Sequence, residues 1–129
     1  MTITADTARI FADARAMHSA ALERLDAGDI RDASEKAWCA TKRATDALIL
    51  SRTGEEPPKS PDTTCALDAL AELDSNVKTL VGRYYSRQSQ LHGDCFYTGL
   101  CDPTPTTMRR IRETIDYIED AERLANAHV

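Results

Sequence analysis

The chain has 129 residues and a formal net charge of −5, with 42% apolar and 5% aromatic residues. This length is typical of one domain with its own core, and we expect a single domain over residues 1–129. The acidic balance argues against a general binder of nucleic acids or anionic membranes, because such binding needs an excess of Lys and Arg.

Alanine and leucine outnumber valine and isoleucine, which favours helices over strands. No apolar run approaches the roughly 20 residues of a membrane span, and the first residues do not resemble a signal peptide. We therefore expect a cytoplasmic all-α protein with no membrane partner. The four cysteines form no CxxC pair, and because the cytoplasm is reducing we expect them to be reduced there: Cys39, Cys65, Cys95 and Cys101.

Two helices are predicted in the first half of the chain, over about residues 4–27 and 30–52. Gly28 can take the left-handed conformation that ends a helix, and Asp29 is a typical N-cap for the next one. The apolar stripe of the second helix is rich in alanine, which predicts a close approach to a neighbouring helix. Because the connection is so short, we expect the two helices to form an antiparallel hairpin.

A third, longer helix is predicted over about residues 63–92, and we expect it to be the central helix of the molecule. Its apolar residues recur at steps of three and four and so share one face: Ala66, Leu70, Leu73, Val77, Leu80 and Tyr84. Arg87 occupies a position of that stripe where an apolar residue is expected. A guanidinium keeps its charge at neutral pH, so burial there requires hydrogen-bond partners or a function.

Residues 93–103 are predicted to form an irregular connection, longer than the roughly 2–8 residues typical between helices. A last helix is then expected over about residues 105–126, with its apolar residues on one face. The four helices predict an all-α, up-and-down bundle. A helical array whose apolar surface is covered by a partner is the alternative, and such stripes are also compatible with dimerisation.

The spacing Arg87-x4-His92 suggests phosphodiester chemistry at the end of the third helix. A histidine can take a proton from a ribose 2′-hydroxyl or give one to a leaving oxygen, and an arginine can hold the phosphate oxygens. On an α-helix five residues correspond to about 140° of rotation, so the side chains share a face only if Gly93 redirects the chain. Arg123 and His128 have the same spacing, so spacing alone does not identify a site.

An alanine-rich helical hairpin, a break with glycine and prolines, and a third helix ending in Arg-x4-His together resemble the HEPN domain family. The resemblance covers most of the chain and implies a helical bundle that forms homodimers. Many HEPN proteins are metal-independent ribonucleases in which the motifs of two subunits meet. By this resemblance Arg87 would bind phosphate and His92 would be the acid and base. RNA as substrate, no cofactor or metal, and an antitoxin partner of the nucleotidyltransferase type are also implied.

Three further residues are candidates for RNA contact. Arg83 and Tyr85 lie just before the motif, and an arginine beside an aromatic ring can clamp single-stranded RNA. Gln88 matches the polar residue that often follows the arginine in HEPN proteins. Tyr84 lies on the apolar stripe, so we expect it mainly in the core.

A second basic group is expected near the start of the last helix and contains Arg109, Arg110 and Arg112. Positive charge is unfavourable there, because the N-terminal end of a helix dipole is itself positive. This mismatch suggests an anionic partner, unless the acidic residues that follow already balance the charge.

Two other functions are compatible with the sequence. The same bundle could be a non-catalytic module in which the Arg87 end serves partner binding or dimerisation. Residues 93–103 could instead cover a small-molecule or nucleotide site.

His92, Cys95 and Cys101 do not have a usual zinc-ligand spacing. A disulfide between the two cysteines requires that the chain fold back in an oxidising compartment.

Overall fold

The computed structural model describes residues 3–128, and over that range the chain is built from helices without strands. The elements are α1 (Ala5–Asp26), α2 (Ile30–Thr53), α3 (Ser60–Leu73), α4 (Ser75–Arg87), a π-helix (Gln88–Tyr97), α5 (Thr104–Arg112) and α6 (Thr114–His128). The prediction of an all-α helical bundle is confirmed. None of the helices in this range is long and apolar enough to span a membrane.

Helix α2 is the central element, because it contacts every other helix of residues 3–128. The turn before it forms as predicted: Gly28 has a φ of 85°, and the Asp29 side chain accepts a hydrogen bond from the backbone N–H of Asp32. Its alanines are fully buried and permit close packing of neighbouring helices: Ala33, Ala37, Ala40, Ala44 and Ala47. The core therefore lies along α2 and not along the predicted third helix.

The predicted third helix is divided, which corrects the single helix expected over residues 63–92. The chain leaves the helical conformation at Asp74, where φ is −142° and ψ is 110°. The Asp74 carboxylate accepts a hydrogen bond from the N–H of Asn76 at 2.9 Å, so the side chain caps α4. This local bond competes with helix continuation and ends α3. Leu73, assigned to the apolar stripe, is 86% exposed beside the break.

Past Arg87 the chain continues as a π-helix, so the first five residues of the irregular connection expected over residues 93–103 are in fact helical, whereas residues 98–103 are irregular. The C-terminal end of the π-helix is capped by Arg31 of α2. Its guanidinium donates hydrogen bonds to the carbonyl oxygens of Phe96, at 2.6 Å, and Tyr97, at 3.2 Å. A cation at this end is favourable because the exposed carbonyl groups carry partial negative charge.

The prediction of reduced cysteines was wrong for one pair. The chain folds back after the π-helix, and Cys95 and Cys101 are joined by a disulfide, with their Cα atoms 4.3 Å apart. Cys39 and Cys65 are free thiols. The disulfide therefore closes the short segment that joins the π-helix to α5.

The predicted last helix is also divided, at Glu113 between α5 and α6. The Nη2 group of Arg87 donates a hydrogen bond to the carbonyl oxygen of Arg110 at 2.6 Å. In an uninterrupted helix that carbonyl accepts from the N–H four residues later, so the inserted side chain explains the break. Arg109, Arg110 and Arg112 consequently lie in the last turn of α5. Positive charge is favourable there, so the expected mismatch with the helix dipole does not occur.

Candidate functional site

Arg87 is buried where α4 meets α2 and the junction of α5 and α6. Only 8% of the residue is exposed. Its Nε donates a hydrogen bond to Oγ1 of Thr41 at 3.0 Å, and its Nη2 donates to the Arg110 carbonyl and to Oγ1 of Thr114. The arginine on the apolar stripe therefore holds several helices together.

The acceptors around Arg87 are neutral, and no carboxylate within residues 3–128 forms an ion pair with it. Burial lowers the pKa of Arg87 to about 10, because removal from water disfavours the charged form. The positive charges of Arg83 and Arg110 act in the same direction. Glu113 acts in the opposite direction, and the side chain still carries its charge at neutral pH, so the fold contains a buried cation that no carboxylate of the described residues pairs with directly.

His92 follows Arg87 by about one turn of the π-helix. Hydrogen bonds in a π-helix join residues five apart, so its wider turn brings both residues to the side that faces α2. The 140° separation expected on an α-helix does not apply. The two side chains nevertheless reach different parts of α2: Arg87 contacts Thr41, whereas His92 contacts Glu35. Six residues separate these partners, which corresponds to about 9 Å along the helix axis.

His92 is paired with a carboxylate that the sequence analysis did not identify. Its Nδ1 lies 2.7 Å from Oε1 of Glu35. An ionised carboxylate only accepts hydrogen bonds, so Nδ1 is the donor of this contact, and the tautomer with its proton on Nδ1 leaves Nε2 as an acceptor. The side chains of His92 and Glu35 are 31% and 23% exposed, which places the pair within reach of a ligand.

Aromatic rings surround the His92 side chain. The ring centroids of Trp38, Phe96 and Tyr97 lie 6.0, 6.4 and 4.9 Å from that of His92. Trp38 is buried, whereas Tyr97 is 66% exposed. A histidine oriented by a carboxylate beside an exposed ring is suited to proton transfer on a ligand that stacks on that ring.

His92, Cys95 and Cys101 do not form a zinc site. The two cysteines are bonded to each other, so neither offers a thiolate ligand. Within residues 3–128, no group of three or more His, Cys, Asp or Glu side chains is placed to hold a metal ion.

A cavity of about 230 Å³ opens between α4 and the junction of α5 and α6. Its walls are Arg83, Ser86, Arg87, Arg109, Arg110, Glu113 and Asp116. We call it the arginine cavity, since its four arginines and two acids give a formal charge of +2 in a chain of −5. Within residues 3–128 the hydrogen bonds of Arg87 use its Nε and Nη2 and leave Nη1 without a partner. His92 does not line the cavity.

Of the three predicted RNA contacts, only Arg83 lines the arginine cavity, where its Nη1 is 2.7 Å from a carboxylate oxygen of Asp120. Tyr85 faces α3, and its hydroxyl donates a hydrogen bond to Asp68 at 2.6 Å. That bond raises the pKa of Tyr85 to about 12. Gln88 is half-buried at the start of the π-helix. Tyr84 is fully buried in the core, where we expected it.

Sequence reasoning missed Glu35 and Thr41, the partners of His92 and Arg87 on α2. The contacts span 57 and 46 residues of sequence, so no local pattern predicts them. A signal for the contact between Arg87 and Thr41 was present, because Thr41 lies on the buried side of an alanine-rich helix. A buried hydroxyl normally has a hydrogen-bond partner, so its position pointed to a polar group on a facing helix.

Comparison with known proteins identifies a family. No curated protein and no solved structure shows significant similarity to the chain. The model of the archaeal PaREP1/PaREP8 family matches residues 9–120, a range that includes both members of the His92–Glu35 pair and Arg87. Because the match covers most of the sequence, the chain belongs to the archaeal PaREP1/PaREP8 family.

Proposed function

We propose that the protein is a HEPN-like, metal-independent endoribonuclease in which His92 is the general base. The observation that carries this proposal is the 2.7 Å contact between Nδ1 of His92 and Glu35. The carboxylate orients the ring and keeps the proton on Nδ1, so that Nε2 is free to accept a proton from a substrate. The π-helix that carries His92 adds support, because such segments are frequent at functional sites.

In the proposed reaction, Nε2 of His92 takes the proton of a ribose 2′-hydroxyl, and the oxygen attacks the adjacent phosphorus. The bond from phosphorus to the 5′-oxygen breaks, the leaving oxygen takes a proton from water, and His92 afterwards returns its proton to the solvent. The products are a 2′,3′-cyclic phosphate and a 5′-hydroxyl end. Glu35 stabilises the imidazolium that forms during the reaction, and the exposed ring of Tyr97 offers a surface on which a base can stack.

Arg87 would stabilise the negative charge that develops on the phosphate. Within one chain Arg87 lines the arginine cavity, whereas His92 lies outside that cavity. A homodimer in which the motifs of two subunits meet is therefore part of the proposal. Tyr85 and Gln88 remain proposed RNA contacts in such an assembly. A protein that sediments as a monomer at micromolar concentration would contradict this arrangement.

Cleavage of single-stranded RNA in the presence of EDTA tests the proposed activity. We expect His92→Ala to lower the cleavage rate by about 100-fold or more, since general acid–base catalysis contributes at least that factor. Glu35→Gln should lower it by about 10-fold, because the amide supports the imidazolium less well. Lys36→Ala is the matched control, since Lys36 neighbours Glu35 but forms its ion pair with Asp32.

The fluorescence of Trp38 controls for folding in the same experiment. It is the only tryptophan of the chain and is 4% exposed, so the urea midpoint of its emission change reports whether each variant remains folded. A wild-type protein that cleaves no RNA would contradict the catalytic proposal. Equal rates for the wild type and His92→Ala would do so as well.

A non-catalytic interaction module is the second candidate, and the burial of Arg87 favours it. Two of its three guanidinium nitrogens donate to protein acceptors, so most of its hydrogen-bonding capacity is used within the fold. If the wild type forms a homodimer in sedimentation measurements but cleaves no RNA, this second function is supported.

A further inference from the structure

The proposed reaction uses Arg87 from the wall of the arginine cavity but does not account for Arg109 and Arg110, which line it as well. We propose that this cavity binds a phosphate group, carried either by a small molecule or by a nucleic-acid strand. The proposal shares Arg87 with the proposed ribonuclease but does not depend on RNA cleavage, because His92 is not part of the cavity wall.

Two of the four arginines in the cavity wall lack an acidic partner. Arg83 and Arg109 each lie near a carboxylate, at 2.7 and 3.7 Å. Arg87 is buried among neutral acceptors, and Arg110 is half-buried without an ion pair in the described residues. A buried or half-buried cation without a counter-ion is costly, because part of its hydration is lost and no opposite charge replaces it. An anion in the cavity would supply the missing charge.

The acidic residues of the wall limit which anion fits. Glu113 and Asp116 reduce the formal charge of the lining to +2, which matches a doubly charged phosphate monoester. Arginine also suits this ligand, because its planar guanidinium donates two parallel hydrogen bonds to phosphate oxygens. Arg87 lines the cavity, its Nη1 group has no hydrogen-bond partner within residues 3–128, and its other nitrogens hold the guanidinium in place.

The size of the cavity indicates that it encloses the phosphate and not the whole ligand. Its volume of about 230 Å³ is below the roughly 300–1,000 Å³ of sites that enclose a drug-sized molecule. The remainder of a nucleotide or of a nucleic-acid strand would therefore stay in solvent. This geometry suits recognition of a phosphate group on ligands of different size.

The chain provides a matched control for the charge itself. Arg112 lies in the same last turn of α5 as Arg110, but it is exposed and does not line the cavity. Arg110→Gln and Arg112→Gln therefore remove the same charge from the same helix end. A difference in phosphate affinity between the two variants therefore reports on the cavity and not on the overall charge of the protein.

Inorganic phosphate is the first probe, measured by calorimetry and by the thermal stability of the full chain, with NaCl at equal ionic strength as reference. We expect saturable binding to the wild type, an affinity about 10-fold weaker for Arg110→Gln, and a change of less than about 2-fold for Arg112→Gln. His92→Ala should bind phosphate as the wild type does. This last variant separates the phosphate site from the proposed ribonuclease site.

Oligoribonucleotides with and without a 5′-phosphate then identify the source of the group. Tighter binding of the phosphorylated strand, lost in Arg110→Gln, supports recognition of a strand end. Equal binding of both strands with the same dependence on Arg110 supports recognition of phosphodiesters along the strand. Binding of inorganic phosphate alone supports a small phosphorylated molecule.

Two results would overturn the phosphate site. One is a wild-type protein that shows no saturable response to inorganic phosphate beyond that to NaCl. The other is an equal loss of affinity in Arg110→Gln and Arg112→Gln, which would show that the net charge of the helix end, and not the cavity, attracts the anion.

Discussion

The two ends of the Arg87–His92 segment differ in the burial of their side chains and in the charge of their partners. Arg87 is buried, and its cationic group donates to two threonine hydroxyls and a backbone carbonyl. One π-helical turn later, His92 is partly exposed and lies against the Glu35 carboxylate. The first residue therefore has a structural role that the second does not share.

This difference decides which substitutions report on function. A change at Arg87 alters the contacts that hold α2, α4, α5 and the start of α6 together, so lost activity there would not distinguish catalysis from folding. Changes at His92 or Glu35 affect a pair at the surface, where loss of one partner is less damaging to the fold. The His92 end is consequently the better place to test chemistry.

The largest expected effect on stability is that of Arg87→Ala. The substitution leaves a cavity and removes the donor from Thr41, Thr114 and the Arg110 carbonyl, so we expect the free energy of unfolding to fall by about 3 kcal/mol. Urea unfolding, followed by the fluorescence of Trp38, measures this change.

Arg83→Ala is the control for Arg87→Ala, because it removes an arginine one turn earlier on the same helix. The Arg83 side chain is 39% exposed and forms a surface ion pair with Asp120, so its loss should cost less than about 1 kcal/mol. Similar losses for the two variants would contradict the assignment of a distinct structural role to Arg87.

Local patterns in the sequence predicted α1, α2 and the turn between them closely. Gly28 and Asp29 are strong local signals, and both act in the structure as the sequence indicates. The break at Asp74 was also encoded locally, in the Asp-Ser-Asn segment, but the regular apolar stripe obscured it. The break between α5 and α6 has no comparable signal, because it depends on Arg87 reaching Arg110 from another helix.

The candidate site was also predictable only in part, because several of its contacts join residues from different helices. Arg87 was correctly identified as an unusual residue on an apolar face, and that pattern is visible in the sequence. Its partners, and Glu35 beside His92, come from α2 and depend on tertiary packing. The π-helix changes the angular relation of Arg87 and His92, and periodicity alone did not predict it.

A smaller effect is expected at the His92 end when the disulfide is reduced. The bond joins residues six apart in sequence, and a loop of this length contributes about 2 kcal/mol to stability through the entropy of the unfolded chain. Dithiothreitol should therefore lower the free energy of unfolding of the wild type by that amount. The double variant Cys95→Ser/Cys101→Ser should start from the lower value and not respond to the reductant.

The free cysteines provide the control for the disulfide prediction. A variant with Cys39→Ser and Cys65→Ser should keep the full response to dithiothreitol, because neither thiol takes part in the bond. A wild-type protein whose unfolding curve is unchanged by the reductant would show that the disulfide does not stabilise the His92 end.

The smallest expected effect concerns His18, a histidine that is buried like Arg87. The residue is 8% exposed, and its Nε2 has no hydrogen-bond partner in the part of the chain that the structure describes. Burial lowers the pKa of His18, and the charge of Arg87 lowers it further, while the backbone of Arg112 and Ile111 and the charge of Asp116 act in the opposite direction. The folded protein therefore resists protonation of this ring.

The sign of the pH dependence follows from that shift. As the pH falls below about 6.5, the unfolded chain takes up a proton at His18 before the folded chain does, so the free energy of unfolding decreases. One proton limits the slope to about 1.4 kcal/mol per pH unit. His18→Gln should have a flatter stability curve than the wild type between about pH 6.5 and 5 in urea titrations. Parallel curves for the two proteins would mean that the folded protein accepts a proton at His18 without loss of stability. The buried region around Arg87 would then differ less from the partly exposed His92 end than its burial indicates.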